Sequence, residues 1–524
     1  MAAAQPGTLL ASLHNSAAAH PQRVAFTFEG RQTGFAAFAR HAGQVAAALR
    51  AAGIGPGERI AYIGKNSDIF FEALFGAMKA GVVMVPVNWR LAGPEIAAIV
   101  EDCKARLILV GPEFSGLVEA ERAAMTRVEI IVATQGGHAT WPDFAAWRDG
   151  QPPSEQDHPA SPGDVAVQLY TSGTTGRPKG VMLSHANFVH VIEENARNPA
   201  AWTQWKDGDS AIQAMPVSHI SGTGWGIITV HQAATCHIQR QFDIELTLDM
   251  ILRDRINKIF LVPAAMQFLV RHPRARDVDF SCIREMGYGA SPIPLALLRE
   301  CMDVLGCGFV QFYGMTETTG TIVALAPEDH VPEGSPRMRA AGKPLPWVQI
   351  RVVDANGQDV TPGQVGEIIT RSPANMVGYW ERPEETARTI RDGWLHTGDA
   401  GYVDEDGYVF IHDRVKDMII SGGENVYPAE VESALSEHPA VADVAVIGIP
   451  DEKWGEAVTA VVVLRPDAQL TADELMAWSR QRIAGFKTPR RVSFVEVLPR
   501  NASGKLLKRE LRAPYWAGEG RQVN

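Results

Sequence analysis

The sequence predicts a mixed α/β protein. A large N-terminal part of layered α/β subdomains with a β-rich subdomain is followed by a small α+β C-terminal unit. Three observations lead there. Between residues 30 and 110, short apolar runs alternate with segments whose apolar positions recur at helical spacing. From Gln349 to Phe410 the texture changes to short strands punctuated by Asn-Gly, Pro-Gly and Asp-Gly turns. After about Lys416 a separate helix-and-strand pattern begins, which divides the chain into residues 1–415 and 416–524.

The first region opens with an Ala-rich helix from Phe35 to Ala52, followed by a strand over Arg59–Ile63. Phe70–Ala80 reads as a helix, Val82–Val87 as a strand, Glu95–Asp102 as a helix and Leu107–Val110 as a strand. Short apolar strands alternating with helices predict a parallel sheet covered on both faces. The rhythm recurs at Phe188–Asn195, Lys258–Val262 and Leu295–Val304. Gln151–Gly163, rich in Pro, Ser and Asp, is a surface loop leading into the apolar strand Val165–Leu169. In the C-terminal unit Pro428 opens a helix through Leu435, and strands follow at Val441–Ile449 and Ala457–Leu464. Thr471-Ala472-Asp473-Glu474 has the form of a capping box, and Val492–Val497 is a last strand.

At 524 residues the chain exceeds one ordinary domain, and 46% apolar with 21% charged residues is a globular composition. A net charge of -11 argues against nucleic acid or an anionic membrane surface as a partner, except through a local basic patch. Cys103, Cys236, Cys282, Cys301 and Cys307 are an odd set without a CxxC pair, which fits a reducing compartment rather than a disulfide or metal framework. No basic stretch precedes an apolar run at the N-terminus, and no apolar stretch reaches the ~18 residues of a membrane span. A cytoplasmic protein with no integral membrane segment is expected.

The most informative stretch is Tyr170-Thr171-Ser172-Gly173-Thr174-Thr175-Gly176-Arg177-Pro178-Lys179-Gly180. Glycines let successive backbone N–H groups converge on an anion, the hydroxyls add donors, and Lys179 adds a compact cation. Placed at a strand end, this is a loop built to hold a polyphosphate. It lacks the Gly-Lys-Ser/Thr of the Walker pattern.

This loop resembles the phosphate loop of the adenylate-forming superfamily of acyl-CoA synthetases, peptide-synthetase adenylation domains and luciferases. Four more segments resemble that family's motifs in its order. They are Tyr313-Gly314-Met315-Thr316-Glu317, Thr397-Gly398-Asp399, Asp413-Arg414-Val415-Lys416-Asp417 with Gly422-Gly423-Glu424-Asn425, and Pro499 to Lys505. The likeness runs from roughly residue 10 to 512, and it is strongest toward fatty-acyl-CoA ligases and their aryl-acid relatives.

The resemblance implies a two-step reaction with ATP and CoA as co-substrates and Mg2+ as cofactor. A carboxylate resists nucleophilic attack, so AMP is first transferred to it, and a thiol then displaces AMP. Fixed donors stabilise charge on the α-phosphate in such a step. By resemblance Lys505 bridges the acid and the α-phosphate, and Thr316 donates to that phosphate. Glu317 holds Mg2+, where a single carboxylate with phosphates and water is the usual set. Thr171, Ser172, Gly173, Thr174, Thr175, Gly176 and Lys179 hold the phosphates. Tyr313 stacks on adenine beside Gly314, and Gly289, Ala290 and Ser291 line the adenine pocket. Asp399 takes the ribose hydroxyls, with Arg414 supporting from the hinge side. Lys416 is the implied hinge about which a mobile C-terminal domain turns, bringing Gly422, Gly423 and Glu424 to the pantetheine channel.

By resemblance His219 falls beside the acyl carboxylate, and the acyl pocket is expected from Ile220, Thr223, Trp225, Met266 and Met315 with Tyr288 and Gly314 nearby. That lining is apolar and offers an amino group no partner, which disfavours amino-acid substrates. Many fatty-acid ligases carry a gating tryptophan four residues after this histidine. Here Trp225 is six after it, so it either gates a tunnel or shortens the pocket. The activity expected is ATP-dependent ligation of a medium- or long-chain fatty acid to CoA. An aryl or cyclic acid, a separate carrier protein as acceptor, a non-catalytic descendant and a homodimeric state all stay open.

Overall fold

The computed structural model describes residues 7–171, 178–414, 417–421, 424–451, 453–500 and 506–516. Four sheets organise them. A seven-stranded sheet runs, by first residue, Gly378, Lys179, Val165, Val83, Arg59, Leu107, Ile130. Its last five strands are parallel, and Lys179–Ser184 and Gly378–Tyr379 close one edge in antiparallel pairing. A nine-stranded sheet has six parallel strands at its centre: Gly308–Met315, Glu285–Gly289, Lys258–Leu261, Ser210–Gln213, Thr235–Ile238 and Val24–Phe28. A five-stranded antiparallel sheet covers the expected β-rich stretch, and a second five-stranded sheet carries the C-terminal unit.

Two helices lie between the large sheets. Asp68–Ala80 is buried at all positions but one, which explains why it is mostly apolar, its buried Asp68, Glu72 and Lys79 being ion-paired to Arg31, Arg148 and Asp157. Ser67 caps its start by accepting from the Ile69 N–H, and Gly81, at φ +74°, ends it. Ile220–His231 packs against it: a Cβ on Gly226 would lie 2.2 Å from the Phe71 ring, and one on Gly222 equally close to the Pro216 carbonyl. These glycines weaken the helix intrinsically but let it fit between two sheets. Their run had not read as a helix. The largest apolar cluster joins both sheets through these helices, with Phe26 stacked on Phe71 at 5.1 Å.

The expected elements appear with ends shifted by up to three residues; the helix expected from Phe188, for instance, starts at His185, and the last strand ends at Phe494 rather than Val497. Leu10–Ala19, Val24–Phe28 and Lys508–Trp516 were not anticipated. Thr471 and Glu474 form the expected capping box, the Glu474 N–H reaching the Thr471 hydroxyl at 3.3 Å. All five cysteines are free. No described helix is long and apolar enough to cross a membrane.

Candidate active site

Parallel strands expose their carboxyl ends at one edge, where α/β sheets hold ligands in the crevice beyond the strand ends. The expected site residues gather at such ends. Thr171 closes Val165–Thr171, Gly289 closes Glu285–Gly289, and Met315 closes Gly308–Met315. His219 follows Ser210–Gln213 and precedes helix Ile220–His231. Asn66 ties the two sheets here: its amide donates to the Ala214 and Gln239 carbonyls and its oxygen accepts from the Val217 N–H at 3.0 Å. The loop carrying His219 is thereby fixed against the seven-stranded sheet.

Thr171 and Lys179 are register partners, so Ser172, Gly173, Thr174, Thr175 and Gly176 lie on the connection between two antiparallel strands. Those five residues are outside the described set. Lys179 Nζ lies 2.7 Å from the Glu385 carboxylate and 5.2 Å from the centre of the Tyr379 ring. The Tyr379 hydroxyl donates to Glu317 Oε1 at 3.0 Å. Burial, with the Glu317 charge next in weight, pushes the Tyr379 phenol well above its ordinary range, so it stays a donor at neutral pH. Glu317 is 6% exposed and its backbone carbonyl accepts from the Met376 N–H. The phosphate-loop lysine and the expected metal ligand thus share one bridging tyrosine. Nothing in the motifs pointed to Tyr379 or Glu385; only the pairing of Gly378–Tyr379 with Met182 and Val181 brings them in.

Tyr313 and Asp399, 86 positions apart, also meet: the phenol donates to Asp399 Oδ2 at 2.7 Å. Asp399 is 6% exposed and its N–H donates to the Thr397 hydroxyl, which is itself held on the Ile368 carbonyl. Arg414 pairs with Asp399 along the strand, and its side chain is outside the described set. Thr316 opens a single 3-10 turn that presents Glu317. A Cβ on Gly314 would lie 1.8 Å from the Gly320 carbonyl, and one on Gly289 2.2 Å from the Phe312 carbonyl, so both positions require glycine. Ala290 adopts φ +66° at the turn before Ser291.

His219 caps helix Ile220–His231 with extended backbone, and its Nε2 is buried without a hydrogen-bond partner among the described residues. Loss of hydration, with a lesser push from the Arg90 cation, lowers its pKa to about 4, so the imidazole is neutral. Ile220 and Met315 are partly buried against the largest apolar cluster. Trp225 donates its indole N–H to the Ile212 carbonyl at 3.1 Å and is half-buried. Thr223, Met266 and Tyr288, expected around the pocket, are fully buried instead. Thr223 is turned onto the Val217 carbonyl, Met266 sits in a helix core, and the Tyr288 hydroxyl meets Gln311 and His330. Strand alternation explains Tyr288, which faces the opposite side from Gly287 and Gly289.

In the C-terminal unit Ile419–Ser421 and Glu424–Val426 pair as a hairpin, with Glu424 exposed beside Ser421. Gly422, Gly423, Lys416 and Lys505 lie outside the described residues. Flanking Lys416, the His412 and Tyr427 rings touch at 4.7 Å.

Family comparison accords with this geometry. Residues 13–380 match the AMP-binding enzyme family, and residues 430–505 match its C-terminal domain. The chain belongs to the AMP-binding enzyme family. It is an adenylate-forming acid–thiol ligase with a large N-terminal and a small C-terminal domain. Across 99% of its length and 98% of the relative's, it is 44% identical to the fatty acid–[acyl-carrier-protein] ligase ScoC of Streptomyces coeruleorubidus. It is 39% identical to a feruloyl-CoA synthase of an Amycolatopsis species, over 94% of this chain and 96% of that one. Among solved structures, the anthranilate CoA ligase AuaEII with anthranoyl-AMP superposes with a TM-score of 0.89 at 27% identity, covering 97% of both chains.

Proposed function

We propose that this AMP-binding enzyme condenses a carboxylic acid with ATP to an acyl-adenylate and then transfers the acyl group to the thiol of CoA. The observation that carries the proposal is the pair of linked clusters, Lys179–Tyr379–Glu317 and Tyr313–Asp399, at the carboxyl ends of parallel strands. One cluster has the cation and carboxylate suited to a polyphosphate with its metal. The other has the ring and acceptor carboxylate suited to a nucleoside.

In this reading the 171–176 loop and Lys179 hold the phosphates, Lys179 exchanging its Glu385 partner for the more highly charged ligand. Glu317, a single buried carboxylate oriented by Tyr379, would hold a Mg2+ ion. When bound, it would supply neutralisation of phosphate charge. Asp399 accepts from the ribose hydroxyls while Tyr313 offers its ring to adenine, with Gly289, Ala290 and Ser291 leaving room for the base and Arg414 supporting the sugar. The acid carboxylate enters beside His219, whose neutral ring neither repels nor protonates it. Lys505 approaches the α-phosphate and the acid for adenylation, with Thr316 donating to the same phosphate. The domain boundary and hinge fall at Lys416. Turning about it withdraws Lys505 and brings Gly422, Gly423 and Glu424 to the thiol channel.

Separating the half-reactions tests this. Lys505→Ala is expected to abolish pyrophosphate release yet still form thioester from supplied acyl-adenylate, and Lys416→Pro, whose φ is locked, the reverse. Equal loss of both steps in both variants overturns the assignment. For the acceptor, a second reading is a phosphopantetheinyl carrier protein, favoured by the likeness to ScoC. AMP release that depends on a carrier and not on free CoA would select it. For the acid, a medium- or long-chain fatty acid is one reading and an aryl acid the other.

A further inference from the structure

The face of the nine-stranded sheet turned toward helix Ile220–His231 carries an aromatic cup. Phe260 and Gly287 are register partners, and Phe312 pairs with Gly289, two residues further along the same face. A Cβ on Gly287 would lie 2.8 Å from the Phe312 ring and 3.2 Å from the Phe260 ring, so the two rings close over the glycine. From there the contacts run in a circuit. Phe260 meets Phe312 at 6.1 Å, Phe312 meets Trp202 at 5.7 Å, Phe260 meets Trp225 at 6.3 Å, and Trp225 meets Trp205 at 5.6 Å. Four of the five rings keep exposed surface, Phe260 being the buried one. Lys258 completes the circuit, its ammonium 5.3 Å from the Trp205 ring centre and 3.1 Å from the Trp202 carbonyl. It is also ion-paired to Glu285, its register partner on the same face. Glu285 keeps 18% of its side-chain surface exposed, against 4% for Lys258.

The cup runs along the strands from the reaction end to this ion pair. Four residues separate Gly289 from Glu285, or ~13 Å of strand. Trp225 lies six residues beyond His219 on the helix running alongside, ~9 Å down the same path. Aromatic walls favour a flat ring through offset and edge-to-face contacts. A methyl terminus reaching the base would desolvate Glu285 and offer it no hydrogen bond, whereas a hydroxyl would donate one.

We propose that the cup is the acid-binding slot and takes a planar aromatic acid of limited length that bears a hydrogen-bonding group, typically a hydroxyl, at the end remote from its carboxylate. This rests on the ligase reading above.

The test measures kcat/KM for acid-dependent pyrophosphate release with 4-hydroxycinnamic, cinnamic, decanoic and hexadecanoic acids. The hydroxylated acid is expected to exceed cinnamic acid by about tenfold or more, and hexadecanoic acid by a wider margin. In the paired variant Lys258→Met with Glu285→Leu, which replaces both buried charges with apolar groups and so is compatible with folding, the hydroxyl preference should fall to about unity. Its melting temperature is read in parallel. Should the paired variant not fold, Trp205→Ala, which removes the ring beside Lys258 at the base, is expected to relax the preference for cinnamic over hexadecanoic acid. Turnover of the fatty acids with the aryl acids idle overturns this inference and leaves the ligase reading standing. Equal turnover of hydroxylated and unsubstituted acid by the parent enzyme also overturns it. Failure of every acid to release pyrophosphate overturns the ligase reading and the inference with it.

Discussion

Replacing Trp225 with alanine probes whether the tryptophan shapes the acid site or merely fills core. The indole is half-buried, bonded through Nε1 to Ile212 at 3.1 Å and in ring contact with Trp205 and Phe260. A fully buried tryptophan truncated to alanine costs ~3–5 kcal/mol, and partial exposure puts Trp225 near the low end of that range. The void opened is on the order of 100 Å³, against ligand pockets of ~300–1,000 Å³. Each buried methylene contributes ~0.8 kcal/mol, so a slot deepened by two carbons should change selectivity by about tenfold. The assay is kcat/KM for AMP formation across straight-chain acids of increasing length and across aryl acids, with a melting curve for each protein. The expected result is a shift toward longer or bulkier acids with the ATP KM little changed. A folded variant whose acid profile is unshifted removes Trp225 from the acid site. A loss of stability with all acids slowed in proportion identifies it as core.

Three further outcomes follow from the same geometry. Tyr313→Phe deletes a hydrogen bond to a buried carboxylate, a class worth ~1.5–3 kcal/mol, and should raise the ATP KM by about tenfold with the acid KM unchanged; an unchanged ATP KM would separate Asp399 from nucleotide binding. His219 has its pKa lowered to about 4 from an ordinary 6.5, so the unfolded chain binds the proton first as pH falls. Its contribution to stability is full above pH 6.5 and lost as pH drops toward 4, and His219→Gln should flatten that acid-side fall in melting temperature while the neutral-pH rate profile of the parent shows no inflection from this ring. Gly314→Ala sets a Cβ 1.8 Å from the Gly320 carbonyl and should reduce turnover by ~10²-fold or more through displacement of Thr316 and Glu317; activity near the parent level would show that the turn yields without cost.

Local chemistry made much of this protein legible in its sequence. Short apolar runs named four strands of the seven-stranded sheet and one, Lys258–Leu261, of the nine-stranded sheet, because a buried strand must be apolar along its length. Asn356-Gly357 and Asp406-Gly407 marked hairpin turns whose glycines adopt φ +78° and +83°. The phosphate loop, Tyr313 to Glu317 and Thr397 to Asp399 were visible because each is a short contiguous segment with a single chemical task.

What the sequence left undecided depends on strand order and on which face each residue takes. No local signal says that Gly378–Tyr379 adds to the edge beside Lys179–Ser184, yet only that pairing places Tyr379 between Lys179 and Glu317. The three glycines of Ile220–His231 argue against a helix until two sheets are seen to close on it. Trp202, Trp205, Phe260 and Phe312 are unremarkable one by one, and Tyr288 reads as well as Phe260 for a pocket wall. Register puts Phe260, Gly287, Phe312, Lys258 and Glu285 on one face and turns Tyr288 to the other. The sequence by itself identified the family and the segments assigned to the reaction, because those segments are contiguous motifs. The aromatic face proposed for the acid was decided by the tertiary structure, because it is assembled from single residues of separate strands whose relative height and facing exist only once the sheet has formed.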